Sequence, residues 1–166
     1  MASHFLSAIL YLSTQCDTRT KGMNDLLTNT EAIKVFRTFY GHCSDSLWYR
    51  NKKIFNDSFP MNIKNVQLVA QLKRLCPRLN IFDFDFVSAI KQTGEETNKL
   101  SNKVTGYDFL YFLQENNIKP HRNTITNWFQ DVGGFRQKKV YLKCDLYPVI
   151  LAAYSLKRKN ENAGIN

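Results

Sequence analysis

Apolar residues recur at intervals of three and four in several separate stretches of this chain, and helix-starting or helix-breaking residues bound each stretch. That spacing places the apolar side chains on one face of an α-helix. The clearest sets are Ile33, Phe36, Phe39 and Tyr40, then Val66, Val69, Ala70 and Leu72, and finally Leu146, Val149, Ile150 and Ala153. The chain is therefore predicted to be mostly α-helical.

Composition divides the chain into four segments. Residues 1–91 are predicted to be a helical region of unknown role, in which the state of Ser44–Phe55 is left open. Residues 92–104 are almost entirely polar and are predicted to be a linker or loop. Residues 105–157 carry the densest pattern of capping, apolar and basic residues and are predicted to form a separate domain. Residues 158–166 are predicted to be a polar tail.

Two consecutive helices are predicted at the start of that domain. Thr105 followed by Asp108 predicts a capping box and a first helix, which Pro120 prevents from continuing. His121 stands where a second helix can begin. The predicted buried stripe of this second helix consists of Ile125, Trp128 and Phe129.

The other face of the second helix carries hydrogen-bonding side chains and no acid. Arginine pairs with guanine and asparagine with adenine in the major groove, and threonine reaches a phosphate or a thymine methyl group. The side chains predicted to contact DNA from this helix are Arg122, Asn123, Thr126 and Asn127.

A basic wing is predicted after the second helix. Gly133 and Gly134 break the chain, and residues 135–142 are predicted to form a short hairpin or ribbon with a basic tip. Asp145 is the predicted cap of a last helix that holds Pro148 in its first turn. The wing residues predicted to contact phosphates are Arg136, Lys138 and Lys139.

Two of these stretches resemble a known family. Residues 121–129, HRNTITNWF, resemble the S-R-S-T-V-x-R-W-I recognition segment of MerR-like and phage-excisionase-like winged helix-turn-helix domains, and residues 141–146 are similar to the strand that closes their wing. The resemblance covers residues 106–156. It implies that residues 122–127 lie in the major groove and that residues 136–139 touch the backbone or the minor groove. It also implies transcriptional regulation, or an accessory role in phage or plasmid DNA processing.

Charge points to the same partner. Lys and Arg number 23 against 14 Asp and Glu, which gives a net charge of +9, and the window from Lys119 to Lys143 holds six cations and one acid. A basic surface of this density favours a polyanion. The sequence therefore predicts sequence-specific binding of double-stranded DNA by a helical N-terminal region joined to a winged helix-turn-helix, without enzymatic activity or a cofactor. A homodimer is left open.

Two other classes of function are weighed against DNA binding. The same helices could form a protein–protein interaction module. Asp83 and Asp85 would share one face of a strand and could hold a divalent metal in a nuclease, whereas a helix would separate them, and we favour a helix over residues 81–90. A zinc site could draw its four ligands from Cys16, His42, Cys43 and Cys76. Zinc modules usually present their ligands in pairs at short spacing, and these residues lack that spacing.

Neither export nor membrane insertion is predicted. The longest apolar candidate, residues 5–12, is well short of the roughly 18 residues of a membrane helix. No charged side chain precedes Asp17, so the cationic start of a secretory signal is lacking. The four cysteines form no CxxC pair, which suits a reducing compartment. A cytoplasmic location is the expectation.

Overall fold

A computed structural model describes residues 22–164 and confirms the mostly helical prediction. In chain order, this part of the protein contains the helices α1 (Asn29–Tyr40), α2 (Asp45–Lys52), α3 (Ile63–Leu75) and α4 (Phe86–Lys99), the strand β1 (Lys103–Thr105), the helices α5 (Gly106–Glu115) and α6 (Arg122–Trp128), a 3-10 turn (Gln130–Val132), the strand β2 (Val140–Leu142) and the helix α7 (Lys143–Asn162). The chain divides into two compact units between Arg74 and Leu75.

An aromatic core holds the first unit together. Trp48 of α2 is fully buried, and its ring lies 5.4 Å from that of Phe36 in α1. Its indole Nε1 donates to Asn29 Oδ1 at 3.0 Å, which satisfies the one polar atom of the side chain. Within the stretch Ser44–Phe55, residues Asp45–Lys52 are helical, and the start of this helix is capped by the hydroxyl of Ser44, which accepts from the N–H of Leu47.

The second unit is built around α7. The middle of this helix is buried on all sides, from Val149 to Ser155, and α4 packs along it. Strands β1 and β2 form a two-stranded antiparallel sheet in which Val104 is paired with Tyr141, and both of these side chains point into the core. The sheet places Thr105, which directly precedes α5, opposite Val140 of β2, the strand that leads into α7.

The predicted linker at residues 92–104 is wrong over residues 92–99, which belong to α4. The segment is polar in composition, but it shares with the preceding turn a buried stripe of small residues at four-residue spacing, formed by Ala89, Thr93 and Thr97. The hydroxyl of Thr93 donates to the carbonyl of Ala89 at 2.7 Å, so this side chain is buried without an unsatisfied donor. The boundary between the two compact units falls at the end of α3 instead.

The helix favoured over residues 81–90 is wrong at its start, since α4 begins only at Phe86. Asp85 is its N-cap and accepts from the N–H of Ser88 at 3.0 Å. Hydrogen bonds from Ser88 hold the pKa of Asp85 below its ordinary value, and the bond from the hydroxyl has a larger effect than the bond from the N–H.

Helix α7 is longer at both ends than predicted. It begins at Lys143 rather than after Asp145, because the N–H of Lys143 donates to Asn102 O at 3.0 Å and carries the strand pairing straight into the helix. Pro148 therefore lies inside the helix. The helix also continues through residues 158–162 of the predicted tail, where Arg158 donates to Gln92 Oε1 at 2.9 Å.

No helix between residues 22 and 164 has the length and apolar character needed to cross a membrane. The apolar stretch at residues 5–12 and the candidate zinc ligand Cys16 lie outside the described residues.

Candidate nucleic-acid interface

The predicted capping box starts α5. The N–H and the hydroxyl of Thr105 donate to Asp108 Oδ2 at 2.8 and 2.7 Å, and the N–H of Asp108 donates back to Thr105 Oγ1 at 3.1 Å. Hydrogen bonds from Thr105, chiefly that of its hydroxyl, hold the pKa of Asp108 below its ordinary value. The start of α5 is thus set by local sequence, as the spacing of these two residues predicts.

The turn between α5 and α6 is anchored on both sides. Ile118 is buried, and its N–H donates to Leu113 O at 2.9 Å across the left-handed Asn117, whose φ is 53°. Asn116 donates from Nδ2 to Phe112 O at 2.9 Å, while its Oδ1 accepts from the hydroxyl of Tyr154 at 2.7 Å. Because Tyr154 belongs to α7, this bond ties the turn to the central helix of the unit.

Helix α6 lies where the sequence predicts it. His121 caps it through Nδ1, which accepts from the N–H of Asn123 at 3.3 Å. The predicted buried stripe is confirmed, since Ile125, Trp128 and Phe129 are all buried. The indole of Trp128 is 1% exposed and donates from Nε1 to Cys76 Sγ at 3.2 Å.

The opposite face of α6 is exposed and polar. Four side chains form this face: Arg122, Asn123, Thr126 and Asn127. At ~100° per residue, they occupy an arc of roughly 140° on the side of the helix opposite Ile125 and Trp128. The hydroxyl of Thr126 donates to Arg122 O at 3.2 Å, and Asn127 Oδ1 accepts from Gln130 Nε2 at 3.1 Å. The structure therefore brings together, on one surface, all the helix residues predicted to contact DNA: Arg122, Asn123, Thr126 and Asn127.

The predicted hairpin over residues 135–142 is wrong in its pairing. Only Val140–Leu142 is a strand, and its partner is β1 rather than the preceding residues. Residues 135–139, which we call the basic loop, instead fold back over the start of α5. The N–H of Gly106 donates to Lys139 O at 3.1 Å, and that of Tyr107 donates to Gln137 O at 2.9 Å. Two of the N–H groups that begin α5 are thereby satisfied.

Tyr141 fixes the backbone of the basic loop from inside. Its hydroxyl accepts from the N–H of Arg136 at 2.9 Å and donates to Gly134 O at 2.7 Å. Its ring lies 4.9 Å from that of Phe129, which also packs against Phe135 at 5.0 Å. The loop therefore has a defined backbone, from which the side chains of Arg136 and Lys138 project into solvent.

Lys139, the third cation predicted in the wing, has a different position. Its Nζ donates to Val132 O and Gly133 O, each at 2.9 Å, and lies 5.1 Å above the ring of Tyr141. It caps the 3-10 turn rather than projecting outward. Lys143 is similarly bonded to Leu100 O at 3.2 Å. The cations of this window that are exposed and make no ion pair with any described residue are Lys119, Arg122, Arg136 and Lys138.

Gly106 offers a sharp test of this loop geometry. A Cβ there would lie 2.8 Å from Gln137 Cα and would collide with the carbonyl oxygen of Arg136, so the loop backbone would have to move. We expect Gly106→Ala to lower the free energy of unfolding by about 1–3 kcal/mol, the usual range for overpacking.

The matched control is Gly94→Ala in α4. A Cβ at Gly94 meets no atom within 4 Å, and alanine is the better helix former, so we expect a gain of about 0.5–1 kcal/mol. Urea unfolding of both variants gives the comparison. Equal effects at the two positions would contradict the close contact between the basic loop and α5.

The two acids considered for metal chemistry, Asp83 and Asp85, have structural roles. Asp85 caps α4, and Asp83 accepts from Asn80 Nδ2 at 2.6 Å. Within residues 22–164, no three His, Cys, Asp or Glu side chains are grouped as metal ligands. The described residues therefore present α6 and the basic loop as the strongest candidate site.

Comparisons with known proteins add no further information. Family models, curated proteins and solved structures give no significant match to this chain. The resemblance to winged helix-turn-helix domains therefore stays a prediction from the residues themselves.

Proposed function

We propose that residues 103–157 bind duplex DNA, with α6 in the major groove and the basic loop on the sugar–phosphate backbone. The observation that carries the proposal is the exposed face of α6, which is entirely polar, contains no acid and is held in place by a fully packed opposite face. An α-helix fits the width of the major groove, where each base pair presents a distinct pattern of donors and acceptors.

Base reading is assigned to the first and last turns of α6. Arg122 carries a planar guanidinium suited to the two acceptors of guanine, and Asn123 carries an amide suited to adenine. The amide of Asn127 keeps its two Nδ2 donors and the second lone pair of Oδ1 for adenine, because Oδ1 already accepts from Gln130 Nε2. Thr126 already donates to its own helix, so a methyl or phosphate contact is left for it. Discrimination between sequences would come from the three longer side chains.

Backbone contact is assigned to Arg136 and Lys138. Both side chains project from a loop whose backbone is held by Tyr141 and by the N–H groups of α5. A loop ordered before binding loses less conformational entropy when it meets a phosphate. We leave Lys139 out of the contact set, because its ammonium group already bonds to two carbonyls.

A protein that reads duplex DNA in this way would act in transcriptional control or as an accessory factor in phage or plasmid DNA processing. The rival class is a protein–protein interaction module. It is favoured by Tyr107 and Tyr111, which are one helical turn apart on α5 and are 51% and 62% exposed. Binding to a random duplex at low salt separates the two classes, since an interaction module without DNA affinity would show none.

The double variant Arg136→Ala with Lys138→Ala tests the role of the basic loop. Each phosphate contact contributes about 0.9 to the slope of log K against log salt concentration. We expect the variant to weaken binding equally on all duplexes and to flatten the slope by nearly two units, with little loss of stability at these exposed positions. Fluorescence anisotropy over a series of salt concentrations gives the slope.

The charge-matched control is Arg78→Ala with Lys91→Ala. Both of these residues are exposed in the second unit but lie outside residues 103–157. The control removes the same two charges and should leave the slope nearly unchanged. If both double variants flatten it equally, the basic loop makes no specific backbone contact.

A further inference from the structure

A second strongly basic surface lies on the first unit, at the end of α2. Three cations stand within four positions there, Arg50, Lys52 and Lys53. At ~100° per residue, Tyr49, Arg50 and Lys53 share one face, which is centred opposite the buried Trp48 and Asn51. We call Tyr49, Arg50 and Lys53 the α2 basic face.

The helix that carries this face is held firmly from its inner side. Trp48 is fully buried and bonded to Asn29, and its ring lies 6.2 Å from that of Phe55. Asn51 is buried as well, and its Nδ2 donates to Leu47 O at 2.8 Å. The outward side chains therefore start from fixed backbone positions and are presented together.

The cations of this surface are not held in ion pairs by neighbouring acids within residues 22–164. The one acid of α2, Asp45, is bonded to Arg37 at 2.5 Å. Arg50, Lys52 and Lys53 form no ion pair with any residue that the structure describes. Lys52 lies 5.8 Å from the ring centroid of Tyr49, which is 54% exposed.

Helix stability alone gives an incomplete reason for such a cluster. Cations near a helix C-terminus are favoured by the macrodipole, and this effect is modest at exposed positions. Like charges one turn apart, as Arg50 and Lys53 are, repel each other by a comparable amount. Such a cluster beside an exposed tyrosine is well suited to binding an external polyanion.

We propose that the α2 basic face is a second contact surface for the phosphate backbone of duplex DNA. Arg50 and Lys53 would donate to phosphate oxygens and the hydroxyl of Tyr49 would add a neutral hydrogen bond, which are the usual backbone contacts of DNA-binding proteins. This goes beyond the α6 site, because it adds affinity without reading bases. It also gives the first unit a role, that of holding non-specific duplex.

The test is the salt dependence of binding by the full chain carrying Arg50→Ala and Lys53→Ala. The probe is a random-sequence duplex of about 30 base pairs, roughly three helical turns. Loss of two phosphate contacts should flatten the slope of log K against log salt by about 1.8 units. The thermal unfolding midpoint should stay close to that of the unmodified protein, because both side chains are exposed.

The matched control is Lys34→Ala with Lys64→Ala, which removes two exposed positive charges from α1 and α3 of the same unit. Its slope should stay within about half a unit of the original, since each true phosphate contact is worth ~0.9. Equal slopes for the two double variants would overturn the proposal and leave only general charge attraction.

Variants of α6 separate this proposal from the proposed function. In one outcome, Arg122→Ala and Asn127→Ala lose no more affinity on an enriched duplex than on a random one, while the α2 variant still flattens the slope of log K against log salt. The α6 site is then wrong and the α2 basic face stands. If the α6 variants lose sequence preference and the α2 variant keeps the original slope, only the α2 proposal is overturned. Absence of any duplex binding by the unmodified chain overturns both.

Discussion

Replacing Trp128 with alanine is expected to lower the free energy of unfolding by about 3–5 kcal/mol, the usual cost of removing a large buried aromatic side chain. The indole is 1% exposed and bonded through Nε1 to Cys76 Sγ. Its loss would leave a cavity beneath α6 and remove the hydrogen bond to Cys76 Sγ. Chemical unfolding followed by far-UV circular dichroism measures the change.

A milder variant separates the packing of Trp128 from its hydrogen bond. Trp128→Phe keeps a ring in the core but removes the Nε1 donor, so we expect a clearly smaller loss than for alanine. If Trp128→Ala leaves stability unchanged and abolishes only DNA binding, the indole is a base-stacking group and its assignment to the core is wrong.

Removing the base-reading side chains of α6 is expected to have the largest effect on binding. Arg122→Ala and Asn127→Ala should each cost about 1–3 kcal/mol on a preferred duplex and less on a random one. Both side chains are exposed, so stability should change little. Affinity for the two duplexes at one salt concentration, measured side by side, gives the comparison.

The controls for these variants are Arg78→Ala and Asn98→Ala, which remove the same two side-chain types from exposed positions outside residues 103–157. They should leave the preference between the two duplexes unchanged. If the α6 variants lose equal affinity on both duplexes, Arg122 and Asn127 contact phosphates only and the helix does not read sequence.

Local signals predict the two helices of the candidate site well. A capping box needs only Thr105 and Asp108 three positions apart, and the buried stripe of α6 needs only Ile125, Trp128 and Phe129 at helical spacing. Both are confirmed, because the interactions that decide them lie within one or two turns of the chain.

The parts that sequence reasoning misplaced depend on distant partners. Strand β2 pairs with β1, which is separated from it in the sequence by both α5 and α6. A three-residue strand is too short for its residue pattern to identify its partner. Lys138 and Lys139 are adjacent and chemically identical, yet only Lys139 reaches the carbonyls of Val132 and Gly133. Alternation of side chains along an extended segment turns Lys139 away from the side on which Arg136 and Lys138 project, but it does not identify the carbonyls that Lys139 reaches.

Tyr141 and Gly106 are the supporting residues that the sequence did not single out. A tyrosine in a strand is most often a core residue, and its hydroxyl contacts become visible only once the basic loop is folded. Glycine permits another part of the chain to approach its backbone closely, so Gly106 at the start of α5 is the available signal for the contact with the loop.

The most direct test of the proposed function is whether the unmodified protein prefers one duplex sequence over others. Duplexes enriched from a random pool by repeated binding are compared with the starting pool at the same salt concentration. We predict that the enriched duplex binds at least about a thousandfold more tightly, the lower end for specific DNA-binding proteins. Equal affinity for the enriched and random duplexes would contradict base reading by α6.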